Sequence, residues 1–145
     1  MNPSEYDVAY STKEWLINHR WRVIAFNPPG AQGAFSIPNP DKKEEGYKGQ
    51  TGTEAPDIIA IKDNQILIVE CKDFKTKEIQ SDIEKLTNFF KNPRREELFI
   101  RIIDIACKAN KVPFIPDKCN IILGKAHGGE ALEQDHIETF HVKIE

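Results

Sequence analysis

Residues 56–72 read PDIIAIKDNQILIVECK, and the fold turns on how this stretch is folded. Ile58, Ile59, Ala60 and Ile61 form one short apolar run, and Ile66, Leu67, Ile68 and Val69 form a second. Asp63-Asn64 between them is turn chemistry, so two antiparallel strands joined by a tight hairpin is the economical reading. An acid, Asp57, opens the first strand, while Glu70 and Lys72 close the second. Charges at the end of so apolar a strand are costly to desolvate. A hydrolytic metal site gives them a purpose.

Spacing carries the chemistry further. Side chains alternate along a strand, so Glu70 and Lys72 share a face and Cys71 takes the other. In an antiparallel hairpin Asp57 comes up to Glu70 from the partner strand. Two neighbouring carboxylates repel, and a hard cation such as Mg²⁺ relieves that repulsion. Mg²⁺ keeps several waters and takes one or two carboxylates, with phosphate oxygens completing the shell. The backbone carbonyl of Cys71 is a further oxygen donor in the right place. Lys72 is placed to orient an attacking water or to neutralise charge developing on phosphorus.

The bare pattern of acid, any residue, lysine also occurs at Asp41-Lys42-Lys43 and Asp73-Phe74-Lys75. The first sits in a proline-rich polar stretch, and the second follows the strand out of step with Glu70. Only Glu70-Cys71-Lys72 ends an apolar strand whose partner opens with Pro-Asp. The structural alternative is a surface hairpin carrying a weak Glu70–Lys72 ion pair on one face.

Pro56-Asp57, the hairpin, and Glu70-Cys71-Lys72 together resemble the PD-(D/E)xK nucleases, a superfamily that includes type II restriction enzymes and archaeal Holliday-junction resolvases. The resemblance implies an α/β, restriction endonuclease-like fold: an αβββαβ core with a central mixed sheet flanked by helices. It implies hydrolysis of DNA phosphodiester bonds with Mg²⁺, with Mn²⁺ as a substitute. Asp57 and Glu70 become metal ligands and Lys72 the catalytic lysine. Relatives of this size often act as homodimers.

Composition is compatible with that reading. The chain has 145 residues, the size of one domain, and no apolar run long enough to span a membrane. The polar N-terminus lacks a signal-peptide pattern. Cys71, Cys107 and Cys119 show no metal-ligand spacing, and their apolar surroundings suit buried free thiols in a reducing cytoplasm. A net charge of −3 argues against a protein that merely coats nucleic acid. Residues 72–111 nevertheless carry ten Lys/Arg against seven Asp/Glu, with Lys91, Arg94 and Arg95 clustered as a candidate DNA contact. An ordinary solvated face explains that cluster as readily.

Along the chain, Asn2-Pro3-Ser4-Glu5 reads as a helix start, with Asn2 as cap, Pro3 at the first helical position and Glu5 closing a capping box. That helix is expected to reach about Arg20. Trp21 to Phe26 reads as a strand, and residues 27–55 as a long flexible loop. Thr76 to Lys91 has the amphipathic spacing of a helix through Ile79, Ile83, Leu86 and Phe90. Pro93 opens another, with Leu98, Ile102, Ile105 and Ala106 on its core face. Cys119 to Leu123 reads as a strand ended by Gly124, and residues 137–144 as a final edge strand. Ending inside an apparent strand leans toward a catalytic module of a longer protein.

Two further residues are candidates by resemblance. Glu5 matches an acid that relatives often carry on the first helix, against its role in the capping box. Gln80 matches a glutamine near the active site of some relatives. His19, His127, His136 and His141 lack partner spacing and read as surface or loop residues. Two other functions stay open at this point: a non-catalytic nucleic-acid-binding or assembly module that keeps the fold, and an RNA-directed nuclease.

Overall fold

Asp63 and Asn64 both adopt left-handed backbone angles, φ 50° and 64°. Two such residues in succession make the type I′ turn whose twist matches a β-hairpin, and Asn and Asp tolerate that conformation well. This is seen in a computed structural model of the protein, whose described residues are 4–27, 56–72 and 84–127. The hairpin pairs β2 (Ile58–Lys62) with β3 (Gln65–Lys72), from Lys62 opposite Gln65 to Ile58 opposite Val69.

Before the hairpin come α1 (Glu5–Asn18) and β1 (Arg22–Phe26). After it come a helical segment at residues 84–89, α2 (Pro93–Ala109), a 3-10 turn at Pro116–Lys118, and β4 (Asn120–His127). The sheet order is β1-β2-β3-β4. β1 runs antiparallel to β2 with an irregularity between Val23 and Ala25, and β4 runs parallel to β3. A mixed four-stranded sheet between helices is the expected restriction endonuclease-like architecture.

Strand alternation divides the core in two. Ile58, Ala60, Leu67, Val69 and Cys71 pack with Val8, Ala9 and Leu16 of α1 on one face. Ile59, Ile61, Ile66 and Ile68 pack with Leu86, Phe89, Phe99, Ile103 and Cys107 on the other. Each fully buried aliphatic side chain contributes roughly 1.5–3 kcal/mol. Burial on both faces explains why the two runs are apolar throughout instead of alternating. Asn64 ties the start of β4 to the hairpin: its Oδ1 accepts from Ile115 N at 2.9 Å, and its carbonyl from Asn120 N at 3.2 Å.

Several expectations shift. The first helix is capped by Ser4, whose hydroxyl accepts from Asp7 N while Asp7 accepts from Ser4 N. The box therefore belongs to Ser4 and Asp7, not to Asn2 and Glu5, and the helix ends at Asn18. The buried flank of α2 is Phe99, Ile103 and Cys107, while Ile105 is 63% exposed. Apolar residues cover more than half of this helix's circumference, opposite a polar stripe of Glu97, Arg101, Asp104 and Lys108. Periodicity alone could therefore not choose the flank; the position of the sheet did. Gly124 does not end a strand but lies buried within β4 opposite Val69, because parallel pairing with β3 continues to Lys72 and His127. His127 thus closes a strand instead of lying in a loop. All three cysteines are free, Cys71 and Cys107 buried and Cys119 half-buried. Burial, with Asp104 nearby, raises the Cys107 thiol to about 11. The expected loop beyond Asn27, Ile79, Gln80, Ile83, His136, His141 and the strand at 137–144 lie outside the described residues.

Candidate active site

One step beyond the paired Ile58 and Val69, Asp57 stands across the hairpin from Glu70. Its carboxylate folds back on the neighbouring strand, where Oδ2 accepts the backbone N–H of Cys71 at 2.7 Å. A charged acceptor makes this one of the stronger classes of hydrogen bond. It anchors Asp57 directly beside the Glu70-Cys71-Lys72 backbone. Asn27 holds the other side: its N–H donates to the Asp57 carbonyl at 2.7 Å, and its side-chain Nδ2 to the Pro56 carbonyl at 3.0 Å. The Pro-Asp pair is thus fixed from both flanks.

Alternation sends Asp57, Glu70 and Lys72 to the face that α2 covers and Cys71 to the face that α1 covers. At the end of β3 this apolar face gives out, and all three charged residues are half-buried there. Glu5, in the first turn of α1, meets Lys72 across the open end of the sheet, with Oε1 at 3.3 Å from Nζ. Because Ser4 and Asp7 cap the helix, Glu5 is available for this contact.

Sequence reasoning missed two neighbours. Asn27 reads from sequence as the first loop residue; its hydrogen bonds to residues 56 and 57 are long-range and leave no local signal. Lys125 stands beside Glu70 in the β3–β4 ladder and on the same face. It would have been found by extending β4 through Gly124. Conversely, Lys91 lines a cavity of about 400 Å³ with Cys119 and Asn120. Asn120 pairs with Gln65, so this cavity is at the opposite end of the sheet from Glu70. Arg95 rides on the Phe89 ring at 5.1 Å, and Arg94 N donates to the Asn92 cap. The structure does not bring Lys91 to the carboxylates.

Asp57, Glu70 and the Cys71 carbonyl are oxygen donors of the kind that suit a divalent ion. Among the described residues no three His, Cys, Asp or Glu side chains form a metal cage. Mg²⁺ does not require one, since two carboxylates and a carbonyl leave room for water and phosphate oxygens. Burial pushes the Cys71 thiol well up and Asp57 and Glu70 push it further; the Thr12 hydroxyl opposes them, and Glu5 adds a lesser push. Asp57, Glu70 and Glu5 thus lie close enough to act on the buried thiol, which alternation places on the face opposite Asp57 and Glu70.

Comparison with curated proteins and with solved structures returns no match. The family model described as archaeal Holliday junction resolvase (hjc) matches residues 44–118, which include Asp57, Glu70 and Lys72. That match spans just over half of the chain, and the mixed sheet with its charged hairpin end agrees with it. The chain belongs to the archaeal Holliday junction resolvase family, within the PD-(D/E)xK, restriction endonuclease-like superfamily.

Proposed function

We propose that this protein is a divalent-metal-dependent endonuclease that cleaves DNA at branch points. The observation that carries the reading is the Asp57 carboxylate held on the Cys71 backbone at 2.7 Å, beside Glu70 and Lys72. Nothing in a surface hairpin requires an acid to be fixed there. The family match supports junction DNA as the substrate class.

In this reading Asp57, Glu70 and the Cys71 carbonyl hold Mg²⁺, with Mn²⁺ as a substitute. When bound, the ion acidifies a water and polarises the phosphoryl group. Lys72 contributes a fixed positive charge beside the developing negative charge on phosphorus. Glu5 restrains the Lys72 ammonium, and Lys125 adds a second cation next to Glu70. Asn27 keeps Pro56-Asp57 in register with β3. In-line attack of water leaves 5′-phosphate and 3′-hydroxyl ends. A homodimer would cut both strands of a symmetric junction.

The test is incubation with a four-way junction, supercoiled plasmid, linear duplex and matched RNA, in Mg²⁺, Mn²⁺ or EDTA, with Glu70→Ala as control. Metal-dependent cleavage that favours the junction and disappears in Glu70→Ala is the expected result. Junction binding without cleavage in any metal would leave a binding module in place of an enzyme. Preference for RNA would overturn the substrate class.

A further inference from the structure

Helix α1 presents two flanks of different character. Val8, Ala9, Thr12 and Leu16 are buried against the sheet. Tyr6, Tyr10, Lys13 and Ile17 follow at spacings of four, three and four, and so form a second stripe turned away from the core. Tyr6 is 50% exposed, Tyr10 45% and Ile17 48%. Single exposed apolar residues need no explanation, but a continuous row on one helix does.

The row is ordered. The Tyr6 and Tyr10 rings lie nearly parallel, at 16° with centroids 6.3 Å apart. Lys13 Nζ sits 4.8 Å from the Tyr10 ring centroid and 4.7 Å from that of Phe26, the last residue of β1. Both ends of this patch are next in sequence to residues that contact the candidate active site. Glu5, which meets Lys72, precedes Tyr6 in the chain. Phe26 pairs with Ile58, and Asn27, next in sequence, binds the Asp57 carbonyl.

We infer that the Tyr6–Tyr10–Lys13 stripe, with Phe26 beside it, is a stacking surface for unpaired nucleobases next to the scissile phosphate, an inference that rests on the nuclease reading above. Aromatic faces accept bases of any sequence. Lys13 covers a face of Tyr10 and of Phe26, so the base is received on the exposed Tyr6 end of the stack. The Lys13 ammonium is near enough to suit the accompanying phosphate. Bases inside a duplex are already stacked and cannot reach such a surface. The occupant is therefore a nucleotide splayed from the helix, as at a branch point. The neighbouring Glu5 and Asn27, which bind Lys72 and the Asp57 backbone, and the Lys13 cation favour nucleic acid over a protein partner.

The experiment compares the full chain with Tyr6→Ala/Tyr10→Ala and Tyr6→Phe/Tyr10→Phe in Ca²⁺. The probes are a matched duplex and a branched DNA carrying unpaired 2-aminopurine at the branch. The alanine pair is expected to bind the branched DNA about tenfold more weakly, the scale of one lost base–aromatic stack. It should bind the duplex nearly as wild type, lose 2-aminopurine quenching and keep its melting temperature. The phenylalanine pair should retain affinity and quenching. Equal weakening on both DNAs overturns the inference, as does unchanged affinity while wild type binds branched DNA. A change in sedimentation mass with DNA affinity intact also overturns it and makes the stripe a protein interface. Wild type that binds no DNA removes the nuclease reading as well.

Discussion

Lys72 Nζ lies 3.3 Å from Glu5 Oε1, joining the end of β3 to the first turn of α1. The contact links the hairpin that carries the acids to a helix about 70 residues earlier in sequence. Both side chains are partly exposed, at 26% and 29%, so the pair adds little to stability. Its consequence is positional. A long, rotamer-rich lysine is confined to one region of the site.

Glu5→Gln should therefore lower the cleavage rate several-fold while shifting stability by less than about 1 kcal/mol. Ser4→Ala provides the contrast. Loss of the cap should cost about 1 kcal/mol, with cleavage retained at 25 °C. Urea titrations and single-turnover rates on the two variants separate them. Equal rate losses would mean that Glu5 acts only through the helix terminus.

Asp57 makes a structural contact with the Cys71 backbone, and the proposed function gives it a second, electrostatic role. Asp57→Ala should destabilise by about 1–3 kcal/mol, because the buried Cys71 N–H loses its acceptor. Asp57→Asn keeps an acceptor oxygen and should cost less, yet it should abolish metal-dependent cleavage. Chemical denaturation together with calorimetric Mg²⁺ titration checks both statements. Full activity in Asp57→Asn would remove Asp57 from the proposed metal ligands.

The core flank of α2 can be tested directly. Phe99→Ala should cost about 3–5 kcal/mol, whereas Ile105→Ala should stay within about 0.5 kcal/mol. Thermal melts decide it, and a reversed ranking would mean that the helix is rotated about its axis.

Cys107 gives a pH dependence of defined sign. Its folded thiol titrates near 11, above the ordinary value of 9.0. Below pH 9 both states keep the proton and the contribution is intact. Between about pH 9 and 11 the unfolded chain ionises first, so stability falls as pH rises. Cys107→Ala should flatten the urea-midpoint profile across that window. An unchanged slope would assign the alkaline loss to other groups.

Some of this was fixed locally. Asp63-Asn64 demanded a hairpin, the unbroken apolar runs demanded a strand pair covered on both faces, and strand parity put Glu70 and Lys72 together opposite Cys71. Those features depend on the two-residue period of a strand and on turn conformations, which neighbouring residues determine. Other features required the assembled chain. Only packing against the sheet selected Phe99 over Ile105 in a helix that is apolar on several flanks. Only the parallel β3–β4 ladder carried β4 through Gly124 and set Lys125 beside Glu70. Asn27 on Pro56-Asp57, and Glu5 on Lys72 instead of in the helix cap, join residues far apart in sequence. Local periodicity cannot encode such pairings; they arise when burial and backbone hydrogen bonding fix the strand register.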